Sequence, residues 1–139
     1  MWVIGDGYML SELKKLGNRV IKFFGHVENQ VKYDLLSRAH LILVPSIREG
    51  WGLVVTESNA MGTPVVAYDV NGLRDSVIDG RNGILVRGKN PESLARSALE
   101  ILKDKEMLRR LSVNALEYSR QFNWDKTFDY FSAQIHNVI

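Results

Sequence analysis

The stretch Leu41-Ile-Leu-Val-Pro-Ser-Ile-Arg-Glu-Gly-Trp-Gly-Leu-Val-Val-Thr-Glu-Ser-Asn-Ala-Met-Gly-Thr-Pro-Val-Val-Ala-Tyr68 decides how the chain is read. It begins with a continuous apolar run, Leu41–Val44, closed by Pro45-Ser46, and ends with another, Val65–Tyr68. Apolar runs this short suit strands buried on both faces. The segment between them is ambiguous on pattern alone. Leu53–Thr56, β-branched from Val54 onward, fits a strand. Gly52–Met61 fits a helix, because Leu53, Glu57, Ala60 and Met61 share a face. Gly62 then sits where a left-handed C-terminal cap belongs, and Pro64 follows shortly. We take the helical reading, which makes the stretch a strand–helix–strand unit.

The same alternation continues outward. Trp2–Ile4 reads as a strand ended by Gly5-Asp6-Gly7, and Tyr8–Leu16 as a helix stopped by Gly17. Val20–Phe24 is a second strand, followed by Gly25, and Glu28–His40 a helix with Val31, Leu35, Leu36 and Ala39 at helical spacing. Downstream come a short helix at Leu73–Ile78, a double turn signal at Asp79–Gly83 and a strand at Ile84–Val86. The rest is helical: Pro91–Leu102 with Pro91 at its first position, Lys105–Phe122 and Asp125–Val138. Strands alternating with helices describe an α/β domain, Rossmann-like, with a parallel sheet in a three-layer α/β/α arrangement and a helical C-terminus. Trp2, Phe23 and Phe24 are expected in the core. The last helical region, with Phe122, Trp124, Phe128, Tyr130 and Phe131, carries too much aromatic surface for a solvated face and suggests a partner patch.

Composition narrows the classes. The 139 residues suffice for one domain with its own core. Hydrophobic residues make up 45% and charged residues 24%, so disorder and fibrous classes are excluded. With no cysteine there is neither a disulfide framework nor a cysteine-ligated zinc. Eighteen basic and sixteen acidic residues, interspersed, give a net charge of +2, which does not argue for nucleic acid or a membrane surface. The N-terminal residues lack the pattern of a signal peptide, and no apolar run could span a bilayer, so a cytoplasmic location is expected. The histidines His26, His40 and His136 have no metal-ligand spacing, and His40, before a buried strand, is expected to be a satisfied structural residue.

In doubly wound sheets, ligands bind beyond the carboxyl ends of the strands. That rule selects Gly5–Gly7, Gly25–Val27, Pro45–Gly52, Asp69–Gly72 and Arg87–Asn90. Pro45–Glu57 is the richest. A buried strand ends, Gly50 and Gly52 let backbone approach a ligand, and a helix N-terminus follows, which together make an anion site suited to a diphosphate. Neither a Walker loop nor a three-glycine dinucleotide pattern is present. Glu49 and Glu57 bracket this loop. On one helix their axial separation would be ~12 Å, whereas paired glycosidase carboxylates lie roughly 5–9.5 Å apart. Two separate tasks fit better, each carboxylate accepting from vicinal hydroxyls on either side of a diphosphate. Each could instead be a solvated or dipole-favoured acid of the helix start.

Glu49-Gly-Trp-Gly-Leu-Val-Val-Thr-Glu57 resembles the E-x7-E motif of retaining glycosyltransferases with the GT-B fold, most closely glycosyltransferase family 4. The flanks Ala39–Ser46, Ala60–Ala67, Gly72–Val77 and Asn82–Val86 are similar too, as is Phe24-Gly-His-Val27, and the likeness runs from Val3 to about Trp124. The resemblance implies the C-terminal, donor-binding domain of such an enzyme. It implies Glu49 as the catalytic-site carboxylate near the transferred sugar and Gly50, Trp51 and Gly52 as backbone donors to sugar hydroxyls. It also implies Leu53 and Val54 at the helix opening under the diphosphate, Glu57 on the ribose and Val27 against the nucleobase. The donor would be a nucleotide diphosphate sugar, UDP- or GDP-linked, with no further cofactor. No Asp-x-Asp occurs, in keeping with a metal-independent site. The acceptor would be a glycan, lipid or small molecule, as in polysaccharide biosynthesis.

The departures from the family bear on function. Its donor domains open with a further strand and helix, carrying a Gly-Arg pair and a later Lys that neutralise the diphosphate, and this chain begins at what would be the second strand. The N-terminal acceptor domain is not represented either. Expected partners are therefore that domain or a separate chain supplying it, with a homodimer possible. Peripheral membrane association would come only through the full enzyme. The alternative is a non-catalytic nucleotide-sugar binding or assembly module.

Overall fold

Apolar runs and amphipathic stretches alternate in the computed structural model, which describes residues 1–136, much as they do in the sequence. The order is β1 (Trp2–Ile4), α1 (Leu10–Leu16), β2 (Lys22–Gly25), α2 (Asn29–Arg38), β3 (Ile42–Val44), α3 (Leu53–Ala60), β4 (Val65–Tyr68), α4 (Leu73–Ser76), β5 (Gly83–Val86), α5 (Pro91–Lys103), α6 (Lys105–Ser119) and α7 (Trp124–His136). The ambiguous segment is helical. Its end is fixed by backbone bonds: the Gly62 amide donates to the Asn59 carbonyl at 2.9 Å and the Thr63 amide to Ser58 at 2.8 Å, with Gly62 at φ +74°. That double bond pattern is the Schellman motif expected of a glycine-capped helix.

The strands pair in parallel throughout, but in two sheets, β1-β2 and β3-β4-β5, instead of one. The fold forms two compact units, Met1–Leu35 and Leu36–Ile139. In the first, β1 and β2 carry half-exposed side chains. Trp2, expected in the core, is 39% exposed, its ring edge-on to Phe24 at 6.1 Å. Phe23 and Phe24 are half-buried.

The second unit holds the main core. All four β4 residues are buried, as the uninterrupted Val65–Tyr68 run requires, and Val55, Leu73, Val77, Ile101 and Leu111 pack with them. Helix starts use their own side chains: Asn90 accepts from the Ser93 amide, and Asp104 from the amides of Glu106 and Met107. Element ends moved inward wherever periodicity outran burial. Tyr8, 95% exposed, precedes α1, and Val20, 73% exposed, precedes β2. Ile78 and Phe122 fall beyond α4 and α6. The expected end of the last helix at Val138 lies outside the described residues. Among the described residues no helix is long and apolar enough to cross a membrane.

Candidate functional site

The loop from Pro45 to Gly52 leaves the carboxyl end of β3 and runs straight into α3. Gly52, at φ +78°, makes the turn into the helix. A Cβ there would come within 2.8 Å of a Leu73 methyl group. Gly72, at φ +83°, opens α4 from the neighbouring loop. A Cβ on it would overlap the Glu49 carbonyl oxygen and lie 2.6 Å from that of Gly50. The two loops therefore meet backbone to backbone, and the absence of side chains at Gly52 and Gly72 permits the contact.

Glu49 is half-buried and lines a cleft of about 450 Å³ together with Arg48, Asp69, Asn71, Arg74 and Lys89. These residues follow β3, β4 and β5, so the cleft lies at the carboxyl ends of the strands, where a doubly wound sheet places its ligands. Arg74 is held within it. Its Nε donates to Asp69 Oδ1 at 2.5 Å, Nη1 to Asn71 Oδ1 at 3.2 Å and Nη2 to the Asp69 carbonyl at 3.4 Å. Hydrogen bonding from Arg74 holds the Asp69 carboxyl below the usual carboxylate range. The loop is thus pinned from both ends, by Gly72 and by an ion pair.

At the opening of α3, the Val55 amide bonds the Gly52 carbonyl at 2.8 Å, while the amides of Leu53 and Val54 have no backbone acceptor among the described residues. No side chain caps this end, and Leu53 is 72% exposed, so the helix presents its positive pole to solvent. Glu57 is half-buried one turn further on and does not line the cleft that holds Glu49. Trp51 is half-buried, its ring edge-on to Phe122 at 5.5 Å, and Phe122 stacks likewise on Tyr118 at 5.1 Å. Phe122 thus supports the Glu49 loop and does not belong to the final helix. Val27 is half-buried in the loop after β2, within the other unit.

The sequence pattern of the family described as Glycosyl transferases group 1 matches residues 1–118. The chain belongs to this family. An uncharacterized glycosyltransferase of Methanocaldococcus jannaschii is 36% identical to this group 1 chain over 131 residues, 89% of the chain and 36% of the relative. Sucrose-phosphate synthase from Thermosynechococcus elongatus superposes with a TM-score of 0.85 at 28% identity, covering 99% of the chain and 39% of that structure. Anabaena HepE in complex with UDP-glucose superposes with a TM-score of 0.80 at 24% identity, covering 99% and 40%. The fold is the Rossmann-like domain of GT-B glycosyltransferases, and the chain spans little more than a third of the length of these proteins.

The loop between β3 and α3 holds Glu49, Gly50, Trp51 and Gly52, with Leu53 and Val54 at the helix opening. Asn71, Arg74 and Lys89 were not singled out from the sequence. The rule that selects loops beyond strand ends did include the segments holding Asn71 and Lys89. The Asp69–Arg74 pair, five positions apart, has no periodic signature to betray it.

Proposed function

We propose that this chain is the donor-binding half of a retaining glycosyltransferase that uses a nucleoside diphosphate sugar. One observation carries the reading. At the junction of β3 and α3 a half-buried carboxylate lines a polar cleft, and a helix opens with amides that lack acceptors. In this reading the Leu53 and Val54 amides and the α3 dipole face the diphosphate. Glu57 accepts from the ribose hydroxyls, and Glu49 lies beside the transferred sugar. Arg48 and Lys89 add positive charge to the cleft. Rate enhancement comes mainly from electrostatic stabilisation of the departing diphosphate. HepE, of the same fold, was solved with UDP-glucose, which makes UDP-glucose the first donor to test.

Calorimetry of UDP binding tests the site. Glu57→Ala should weaken UDP by about 1.5–3 kcal/mol, the worth of hydrogen bonds to a charged group. Unchanged affinity would remove Glu57 from the site. Assayed alone, the chain should bind UDP and transfer no sugar, and turnover by the purified chain would refute the half-enzyme reading.

A further inference from the structure

A second cleft, of about 310 Å³, lies at the opposite end of the three-stranded sheet. His40, Gly62 and Thr63, which precede β3 and β4, form one wall, and Lys105, Arg109 and Ser112 of α6 form another. No acidic side chain lines it. Lys105 and Arg109 stand four positions apart on one helical face, where like charges repel. Lys105 also opens α6, where the helix dipole disfavours a cation. The neighbouring acids offer no relief. Asp104 accepts the Glu106 and Met107 amides as a cap, and neither Asp104 nor Glu106 reaches the cleft. Among the described residues, the side chains of Lys105, Arg109 and His40 make no hydrogen bond or ion pair. His40 is exposed, contrary to the expectation of a satisfied structural residue.

Two hydroxyls here are already committed as donors. Thr63 Oγ1 donates to the Leu36 carbonyl and Ser112 Oγ to that of Gly62, each at 2.6 Å. Beside them stand one guanidinium, one ammonium and one imidazole, with no acidic side chain in the lining. Such groups suit oxyanions, above all phosphate. We infer that this cleft binds a phosphate group, free or carried on a small organic molecule, at a site distinct from the Glu49 cleft. Its volume is at the lower end of small-molecule pockets, with room for more than a bare phosphate.

The test titrates the full 139-residue chain with inorganic phosphate and, in parallel, with glycerol 3-phosphate, at constant ionic strength set by chloride. Amide NMR shifts report the position of binding. Saturable shifts centred on Gly62, Thr63 and residues 105–109 are expected. In Lys105→Gln/Arg109→Gln the affinity should fall by about tenfold or more, the scale of lost charge-assisted hydrogen bonds. Tighter binding of glycerol 3-phosphate would point to an organic ester, and equal binding to free phosphate. No saturable shift with either ligand, or shifts of equal affinity in the double variant, would overturn the proposal. The titration of the unsubstituted chain decides it even if the variant folds poorly.

Discussion

Asn82 has no exposed surface, although it stands in Asp79–Gly83, which reads from sequence as a plain double turn. Its Nδ2 donates to Asn59 Oδ1 at 2.6 Å and to the Ser76 carbonyl at 3.0 Å, while its Oδ1 accepts the Ile78 amide at 2.7 Å. Asn59 in turn donates to the Thr63 carbonyl at 3.2 Å. One side chain thus joins α3, α4 and the turn into β5. Asn82→Ala would leave several buried groups unpaired. We expect it to cost about 2–4 kcal/mol, read as a lower midpoint in urea unfolding with an unchanged slope. A change under 0.5 kcal/mol would show that water replaces the network. Sequence could flag Asn82 only as a turn former, because its burial depends on partners 6 and 23 positions away. The two glutamates read differently. Their residue type and loop placement suggested ligand contacts, yet only the fold shows that Glu49 alone of the two lines the cleft.

At the scale of elements, the decisive feature is the contact of the β3–α3 loop with the β4–α4 loop. It is made by backbone, so no side chain advertises it. Gly72→Ala combines a left-handed φ with overlap against the carbonyl oxygens of Glu49 and Gly50, which cannot rotate away. Gly80 has a similar φ of +75° with open space around its Cβ position. The pair separates strain from displacement. Gly80→Ala should lose about 1–3 kcal/mol of stability and keep its UDP affinity. Gly72→Ala should lose more stability and also weaken UDP, because the Glu49 loop must move. Equal UDP affinity in both variants, measured by calorimetry, would detach this contact from the site. Helix ends marked by capping chemistry fall where the sequence places them. Gly62 ends α3, and Pro91 starts α5. Helix α1 and strand β2 were overextended, since hydrophobic spacing continues past the point where tertiary packing stops supporting it.

At the scale of the whole molecule, parallel α/β character was legible because continuous apolar strands separated by helices have few other solutions. The division into two sheets was not, since it depends on which ladders close and not on any residue's propensity. It has an energetic consequence. The sheet of β1 and β2 has two short strands, and within Met1–Leu35 only Leu35 is buried. Two-stranded sheets are marginal without packing support. The sheet of β3, β4 and β5 encloses a strand that is at most 4% exposed and is packed by α3 and α5, which α6 covers in turn. Local openings cost least where little apolar surface is buried. Native-state hydrogen exchange should therefore divide the chain. Amides of Val65–Tyr68 should exchange only through global unfolding, with a strong denaturant dependence. Those of Trp2–Ile4 and Lys22–Gly25 should exchange through a smaller opening, with free energies lower by several kcal/mol and little denaturant dependence. If UDP protects Val65–Tyr68 and leaves Trp2–Ile4 unchanged, nucleotide binding draws its stability from the second unit, which holds Glu49, Gly52 and Glu57. Uniform exchange free energies across both sheets would mean that the two units unfold as one.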